Sequence, residues 1–439
     1  MLEGWALGAY RVAMTIAAAV VGVRTRLPDA APGRGLVARL GRLTVNERAT
    51  ASAAPAIWIH AASVGELLAV RPLIAQLRER FPERLYVVST LTETGLALAR
   101  TFPEVHLAFL LPLDAPRVVR PLVAQFRLEA FLFTETEIWP TLLLELEAAG
   151  VPAIMVSGRV SARTAARAGW LRPVYRRPLA QVLCCMQSEE DAARIVALGA
   201  DPKRVQVAGS LKFDAPAAAP PLEVERLASA LAYGSRRLLV AGSTHDGEDA
   251  PLLAAYAALA AEWPDLALLL APRHPERVDA VAALVEQRGL GLVRFTTLVR
   301  GGAAAVAAGP VVILLDVVGP LAHCYALGEV AFVGGTLVPV GGHNLLEPAR
   351  AARPVVFGPH TANVAELAER LVAIGGGVRV PEASALAGVL SPLLAQPARA
   401  AEMGRRAQAL VAGGQGALAR HVKTITARLS SAGFSRAVG

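Results

Sequence analysis

The sequence predicts an α/β protein made of two doubly wound, Rossmann-like domains. From residue 57 onward, short apolar runs alternate with helical stretches, and most of the runs end in polar or glycine-containing turns. Near mid-chain the alternation stops in Asp214-Ala215-Pro216-Ala217-Ala218-Ala219-Pro220-Pro221, a low-complexity stretch with the composition of a linker. A second series of the same kind then begins. Two similar halves of this type are expected to face one another across a cleft, with ligands beyond the carboxyl ends of the strands.

Taken in order, residues 1–45 form an N-terminal anchor and basic flank. Residues 5–23 are apolar apart from Arg11, close to the ~20 residues that cross a bilayer, and Arg24, Arg26, Arg34, Arg39 and Arg42 follow. This charge asymmetry places the remainder of the chain on the cytoplasmic side. A cleaved leader fits less well, since nothing basic precedes the apolar run and no small-x-small site follows it. Both a spanning helix and an interfacial helix with a snorkelling Arg11 fit the pattern. The first domain, 46–213, has strand candidates at 57–62, 85–90, 105–111, 131–134, 153–156, 182–186 and 205–208. The linker is 214–222. The second domain, 223–420, has candidates at 238–241, 267–271, 311–315, 330–333 and 354–357, and a C-terminal segment, 421–439, follows.

Composition narrows the function classes. At 439 residues and 54% hydrophobic, the chain is long and apolar enough to bury two cores, and 18% charged residues exclude a disordered chain. A net charge of +8 favours acidic partners: nucleic acid, anionic lipid or a phosphorylated substrate. Aromatic content of 5%, without arginine–aromatic interleaving, makes nucleic acid the weakest of these. Cys184, Cys185 and Cys324 lack metal-ligand spacing and read as buried thiols of a reducing compartment.

The strand ends supply the candidate site. Gly334-Gly335-Thr336 and Gly341-Gly342-His343-Asn344-Leu345-Leu346-Glu347-Pro348 place an apolar strand, a glycine loop and a helix start in the order that builds an anion pocket. Glu347 is spaced to hold ribose hydroxyls, or to form a capping-box-like pair with Asn344. In the first domain, Ser63-Val64-Gly65-Glu66, Thr92-Glu93-Thr94-Gly95 and Glu135-Thr136-Glu137 make acidic loops. Glu66 reads either as a helix cap with Ser63 or as a general base that takes a proton from an attacking hydroxyl. Glu135 and Glu137 are expected on opposite faces of a continuing strand, so that only one faces the site. Basic and glycine-rich strand ends recur at Gly242-Ser243-Thr244-His245, at Arg273-His274 and at Gly209-Ser210-Leu211-Lys212, groups that suit a nucleotide phosphate and a sugar carboxylate. Arg159, Arg163 and Arg167 recur at i, i+4 and i+8, which predicts one basic helix face for lipid phosphates or anionic headgroups, or simply a solvated face.

Together IWIHAASVGE (57–66), ETEIWP (135–140), GRVS (158–161), GSLKFD (209–214), GSTH (242–245), APRHPER (271–277), GGHNLLEP (341–348), and Gly358-Pro359-His360 with Asn363 and Glu366 resemble the 3-deoxy-D-manno-octulosonic acid (Kdo) transferases of lipopolysaccharide assembly. The resemblance implies a GT-B glycosyltransferase at the cytoplasmic side of the inner membrane that moves Kdo from CMP-Kdo to a lipid A precursor. It implies catalysis by Glu66 through a metal-independent, inverting single displacement, with no cofactor. Joined with the strand-end and spacing readings above, it assigns donor binding to Lys212, Ser243, Arg273, His274, Gly319, Gly341, Gly342, Asn344 and Glu347, and acceptor binding to Ser63, Gly65, Glu135, Glu137, Arg159, Arg163 and Arg167. Partners would be CMP-Kdo, the lipid acceptor and anionic inner-membrane lipids, and no nucleic acid. Two positions depart from the family pattern. Ser210 stands in Gly209-Ser210-Leu211-Lys212 where relatives have Asn, and Pro320 stands in Asp316-Val317-Val318-Gly319-Pro320-Leu321 where they have Glu. The second change removes a carboxylate near the expected nucleotide pocket, so that either donor affinity is lower or Glu329 or backbone groups substitute. A UDP-sugar transferase acting on a lipid carrier, and an inactive membrane-anchored nucleotide-sugar binding protein, are the alternatives.

Overall fold

A computed structural model describes residues 2–24, 38–214, 219–233, 235–301 and 309–436. Arg26, Arg34 and the linker residues 215–218 lie outside them. The chain divides into two compact units, Met1–Pro216 with Gly414–Gly439, and Ala217–Gly413. The crossing into the second unit falls in the stretch read as a linker. The return to the first unit at Gly414 has no counterpart in the sequence reading, which kept residues through 420 in the second domain and set 421–439 apart.

The first unit is built on a parallel sheet of seven strands among the described residues, in the order β3-β2-β1-β4-β5-β6-β7. These are β1 (Pro55–His60), β2 (Leu85–Thr90), β3 (Leu107–Leu110), β4 (Arg127–Thr134), β5 (Ala153–Gly158), β6 (Leu183–Met186) and β7 (Val205–Val207). The alternation along β1 shows why the sheet is buried on both faces. Trp58 packs with Phe109, Phe126 and Phe131 on one side, while Ile57 and Ile59 join Tyr86 and Val88 in the core on the other. Trp58 Nε1 donates to Ser89 Oγ at 2.8 Å, so the buried indole leaves no unpaired donor. Cys184, Cys185 and Cys324 are buried free thiols, and burial pushes the first two up to about 12 and about 11.

The second unit repeats the design with the order β10-β11-β9-β8-β12-β13-β14. Its strands are β8 (Arg237–Thr244), β9 (Leu266–Pro272), β10 (Gly291–Arg294), β11 (Val311–Leu314), β12 (Val330–Val333), β13 (Val355–Phe357) and β14 (Gly377–Arg379). The sequence reading did not include β10 and β14. Both are edge strands of three or four residues that begin with glycine, so neither shows the sustained apolar run of a strand buried between two neighbours.

The C-terminal helix Ala417–Arg436 completes the first unit. Ile425 and Leu429 enter the Ile57 core, and the Asp214 carboxylate accepts from Gly416 N at 2.7 Å and Leu418 N at 2.5 Å, capping the helix. Deeper in, the fully buried His421 accepts from Ser157 N through Nε2 at 3.0 Å, and its Nδ1 lies 2.7 Å from Ala417 O.

At the other end, the helix Leu2–Arg24 is long and apolar enough to cross a membrane. It packs along the helix Ala168–Leu179 and against Pro116–Val123. Tyr10 donates to Asp114 Oδ2 at 2.8 Å, and Arg11 donates to Glu145 Oε1 at 3.0 Å. Both acceptors are buried, and Arg120 pairs with Glu145 as well. Arg11 therefore ties the helix to the protein instead of snorkelling. The opposite side of the helix leaves Trp5 78% exposed along with Val12, Ile16, Val20 and Val23, and Trp170 of the neighbouring helix is 89% exposed.

Candidate active site

Each sheet has a point where strand order reverses, between β1 and β4 in the first and between β8 and β12 in the second. Loops leaving neighbouring strands there turn to opposite faces, which opens a crevice at the carboxyl edge. Most of the sequence-predicted residues lie in or beside these two places.

In the first unit, β1 leads into the helix Val64–Arg80, whose N-cap is Ser63. Ser63 Oγ accepts from Glu66 N at 3.3 Å and donates to Glu66 Oε1 at 3.0 Å. Ala62 N donates to Glu66 Oε2 at 3.0 Å, and Thr134, at the end of β4, donates to the same oxygen at 2.5 Å. The cap reading and the functional reading thus coincide in one geometry. The cap fixes the carboxylate, and Thr134 anchors it to the adjoining strand at the switch point. Gly65 lies in the exposed first turn of this helix. Thr134 was not among the expected site residues; its place at the end of the strand neighbouring β1 is the signal that would have found it.

Glu135 and Glu137 do not alternate across a continuing strand. β4 stops at Thr134, and Glu135 takes a left-handed backbone with φ of 51°, so the chain turns away from the pleat. Glu135 accepts from Lys212 Nζ at 2.5 Å. Lys212 thus sits in the first unit, paired with a carboxylate assigned to acceptor binding, on a short turn fixed by Leu211 N donating to Ser157 Oγ at 3.0 Å. Glu137 Oε2 accepts from Trp139 Nε1 at 3.0 Å and lies 3.4 Å from Nε2 of the buried His60.

The predicted single arginine face is not formed. Arg159 precedes the first helical turn, and the helix Ala162–Ala166 ends at Arg167, which separates it from Ala168–Leu179. The side chain of Arg163 lies outside the described residues. Arg177 pairs with Glu147 at 2.8 Å, and Arg167 and Arg172 are exposed.

In the second unit, the anion pocket expected at the glycine loop is already filled from within. Glu248 is fully buried, and among the described residues four backbone N–H groups converge on its carboxylate. Gly335 N at 2.7 Å and His245 N at 2.8 Å reach Oε2, while Leu337 N at 2.8 Å and Thr336 N at 3.0 Å reach Oε1. The loop is an anion nest whose anion is the protein's own. Gly341 N and Gly342 N are also engaged, both donating to Gly335 O, at 3.1 and 2.7 Å. Both glycines have positive φ, and a Cβ on Gly341 would meet Asn363, which explains the residue type at a tight turn. The helix that follows, Leu346–Arg350, has five residues and only a small dipole. Asn344 accepts from Leu346 N at 3.1 Å and donates to Glu347 Oε1 at 3.0 Å, so the capping-like pair does form. Burial raises the Glu347 carboxyl from its ordinary value, and the Asn344 hydrogen bond opposes this.

With these amides engaged, side chains supply the positive charge. Arg273 and His274 are exposed on the loop after β9. His274 packs edge-on against His245, whose ring lies nearly parallel to that of His343 and meets it edge to edge, with centroids 5.0 Å apart and Nε2 atoms at 2.7 Å. Ser243 takes a left-handed backbone, φ of 58°, where the β8–β9 register shifts. Gly319 lies after β11, two strands from the β8/β12 switch point, beside a separate cavity of about 500 Å³ that also takes in Pro320, Val318 and Thr296. Glu329 does not replace the family carboxylate. It precedes β12, at the amino edge of the sheet, and is bound by Arg237 at 2.6 Å. Glu248 and His343 were given no role in sequence, and His245 entered only as the end of the Gly242–His245 strand end; an acidic residue closing the Gly242–Glu248 turn was the available signal for the first.

Comparison with known proteins agrees with this architecture. Residues 34–215 match the family described as 3-Deoxy-D-manno-octulosonic-acid transferase (kdotransferase). The chain is 37% identical over 399 residues to the 3-deoxy-D-manno-octulosonic acid transferase of Bordetella pertussis, covering 87% of this chain and 89% of that protein. It is 33% identical over 367 residues to the enzyme of the same name from Haemophilus influenzae, covering 83% and 85%. At fold level it is similar to a putative UDP-N-acetylglucosamine 2-epimerase from Listeria monocytogenes, with a TM-score of 0.56, 12% identity, and coverage of 86% of this chain and 97% of that one. The two parallel sheets and these relatives together establish a GT-B glycosyltransferase that belongs to the 3-deoxy-D-manno-octulosonic acid transferase family.

Proposed function

We propose that the protein transfers Kdo from CMP-Kdo to a lipid A precursor in lipopolysaccharide synthesis, the first unit binding the acceptor and the second the donor. The observation that carries the reading is the Glu66 carboxylate, fixed at the β1/β4 switch point by Ala62 N, Ser63 and Thr134. Glu66 takes the proton of an acceptor hydroxyl whose oxygen attacks the anomeric carbon of Kdo from the face opposite CMP. The bond to the phosphate breaks with its electron pair leaving on CMP, and configuration inverts in one displacement. Arg273 and His274, rather than loop amides, meet the charge developing on the phosphate, and no metal is required. Glu347 with Asn344 takes the ribose. Glu135 and Glu137, held by Lys212 and Trp139, shape the acceptor side, where Arg159, Arg163 and Arg167 receive lipid phosphates. Ser63 and Gly65 set the turn that carries Glu66, Ser243 sets the β8 end, and Lys212 holds the Glu135 carboxylate.

The helix Leu2–Arg24 lies in the plane of the inner membrane on its cytoplasmic side. The Tyr10–Asp114 and Arg11–Glu145 contacts support an in-plane helix, because crossing the bilayer would require breaking both, and the exposed Trp5, Val12, Ile16 and Trp170 are suited to the headgroup boundary. The test is mass spectrometry of the product made from CMP-Kdo and a tetra-acylated bisphosphoryl disaccharide, with Glu66→Gln beside wild type. The substitution is expected to slow transfer by about 10²–10⁴-fold while CMP binding persists. No Kdo-bearing product from wild type, or undiminished transfer by Glu66→Gln, would overturn the reading.

A further inference from the structure

The donor site read above leaves the His245–His343 pair without a role, and this pair has a property that its neighbours lack. Its Nε2 atoms are 2.7 Å apart, so a single hydrogen lies between them, and in the neutral pair one ring donates while the other accepts. One added proton, on the free Nδ1 of the donating ring, leaves that hydrogen bond intact and makes it charge-assisted; a second added proton would place N–H against N–H. The pair therefore holds either no charge or one positive charge without moving.

The surroundings set the balance. Arg273, His274 and Arg277, from the loop after β9, face the pair, and Glu248 lies beneath His245. Asp246 and Asp249 are turned to Arg277, and Glu276 lies 3.7 Å from His274. Glu248 is saturated by backbone donors. Burial and cationic neighbours thus favour the neutral pair, and His343 is pushed down to about 4. An anion docking on Arg273 reverses the second influence at the place where the loop amides of Gly335, Thr336, Leu337, Gly341 and Gly342 are already committed.

We infer that the His245–His343 pair is a proton-linked element of the donor site, taking up one proton when the phosphodiester of a cytidine nucleotide docks beside Arg273. The inference rests on the donor-site reading of the second unit. Binding then brings its own counter-charge from solvent, and affinity declines as pH rises because the proton must be drawn from a more dilute supply.

The probe is the 5′-phosphate methyl ester of CMP, a phosphodiester that does not titrate in the working range. Binding is measured calorimetrically at pH about 6.5 in two buffers of different ionisation enthalpy, and the dissociation constant is followed from pH about 5.5 to 8. Wild type is expected to take up close to one proton per ester, with affinity weakening by up to about tenfold per pH unit as pH rises. His343→Gln and His245→Asn, each checked for wild-type circular dichroism and compared with the parent in a His274→Asn background that removes the other histidine beside Arg273, should both bind without proton uptake at pH about 6.5. Binding without proton uptake in wild type, or uptake that survives in either folded variant, overturns the inference and leaves the donor site standing. An ester that does not bind wild type at any pH overturns the donor-site reading and the inference with it.

Discussion

Glu248 offers a sharp test of how the donor loop is built. In Glu248→Gln the side chain keeps its length, but one acceptor oxygen becomes an NH₂ group that faces two backbone donors. Whichever oxygen is replaced, two of the four loop hydrogen bonds are lost, either those to Gly335 and His245 or those to Thr336 and Leu337. Hydrogen bonds to a charged acceptor contribute about 1.5 kcal/mol or more each, so the loop should lose about 3 kcal/mol of local stability. That corresponds to roughly 10²-fold faster amide exchange if the loop opens locally rather than with the whole unit. Hydrogen–deuterium exchange with mass spectrometry on peptides spanning 333–340 reads this directly, with peptides from β1 and β5 as internal references. The expected pattern is faster exchange in the loop, unchanged exchange in the first unit, and weaker CMP binding with acceptor KM unaffected. Unchanged protection at 335–337 would refute the reasoning, because it would mean that the amides do not depend on the carboxylate.

Three further outcomes follow from other contacts. Transfer activity should persist after exhaustive chelation, since side-chain cations meet the phosphate charge; loss of activity restored by magnesium would contradict the proposed site. His421 is buried, and burial lowers its pKa below the ordinary 6.5, so it contributes stability above that pH and loses it as pH falls toward the depressed value. Thermal unfolding should therefore show a component that weakens by at most about 1.4 kcal/mol per pH unit below pH 6.5, flattened in His421→Gln; an identical acid profile in the variant would rule this out. Replacing Trp5 and Trp170 together by Ser should weaken binding to anionic vesicles by about tenfold or more without changing turnover on detergent-dispersed acceptor, and undiminished flotation with vesicles would remove them from the membrane face.

The fold was legible because its signal is repeated. Each buried parallel strand is a continuous apolar run, and residues 57–62 or 330–333 admit few other readings once helical stretches alternate with them. The strands that escaped, β10 and β14, lie at sheet edges, where pairing on one side asks little of the side chains. The return of residues 414–436 to the first unit escaped for a different reason. It depends on Asp214 capping a helix two hundred positions later and on His421 meeting Ser157, contacts between residues whose local sequence carries no trace of the partner. The Arg159–Arg167 periodicity misled because regular spacing implies one face only where the helix is continuous, and here it ends at Arg167.

The glycine loop shows how a composition suited to an anion can be occupied by a carboxylate of the chain itself. Gly334-Gly335-Thr336 has the composition of a nest for an anion, and an anion is there, but it is the Glu248 carboxylate. Backbone N–H groups arranged for an anion are indifferent to its source, and an internal carboxylate is always present at full effective concentration. A donor phosphate would have to displace Glu248 and leave a buried carboxylate without partners, at a cost of several kcal/mol. The cheaper arrangement keeps Glu248 as a fixed keystone of the loop and gives the donor to groups that remain at the surface. Arg273 and His274 are exposed and the hydrogen-sharing His245–His343 pair is half-buried, which is why the proposed reading gives them the donor. Unlike peptide N–H groups, histidines can change their charge, so a nest closed by Glu248 is compatible with the proton-linked donor site proposed above.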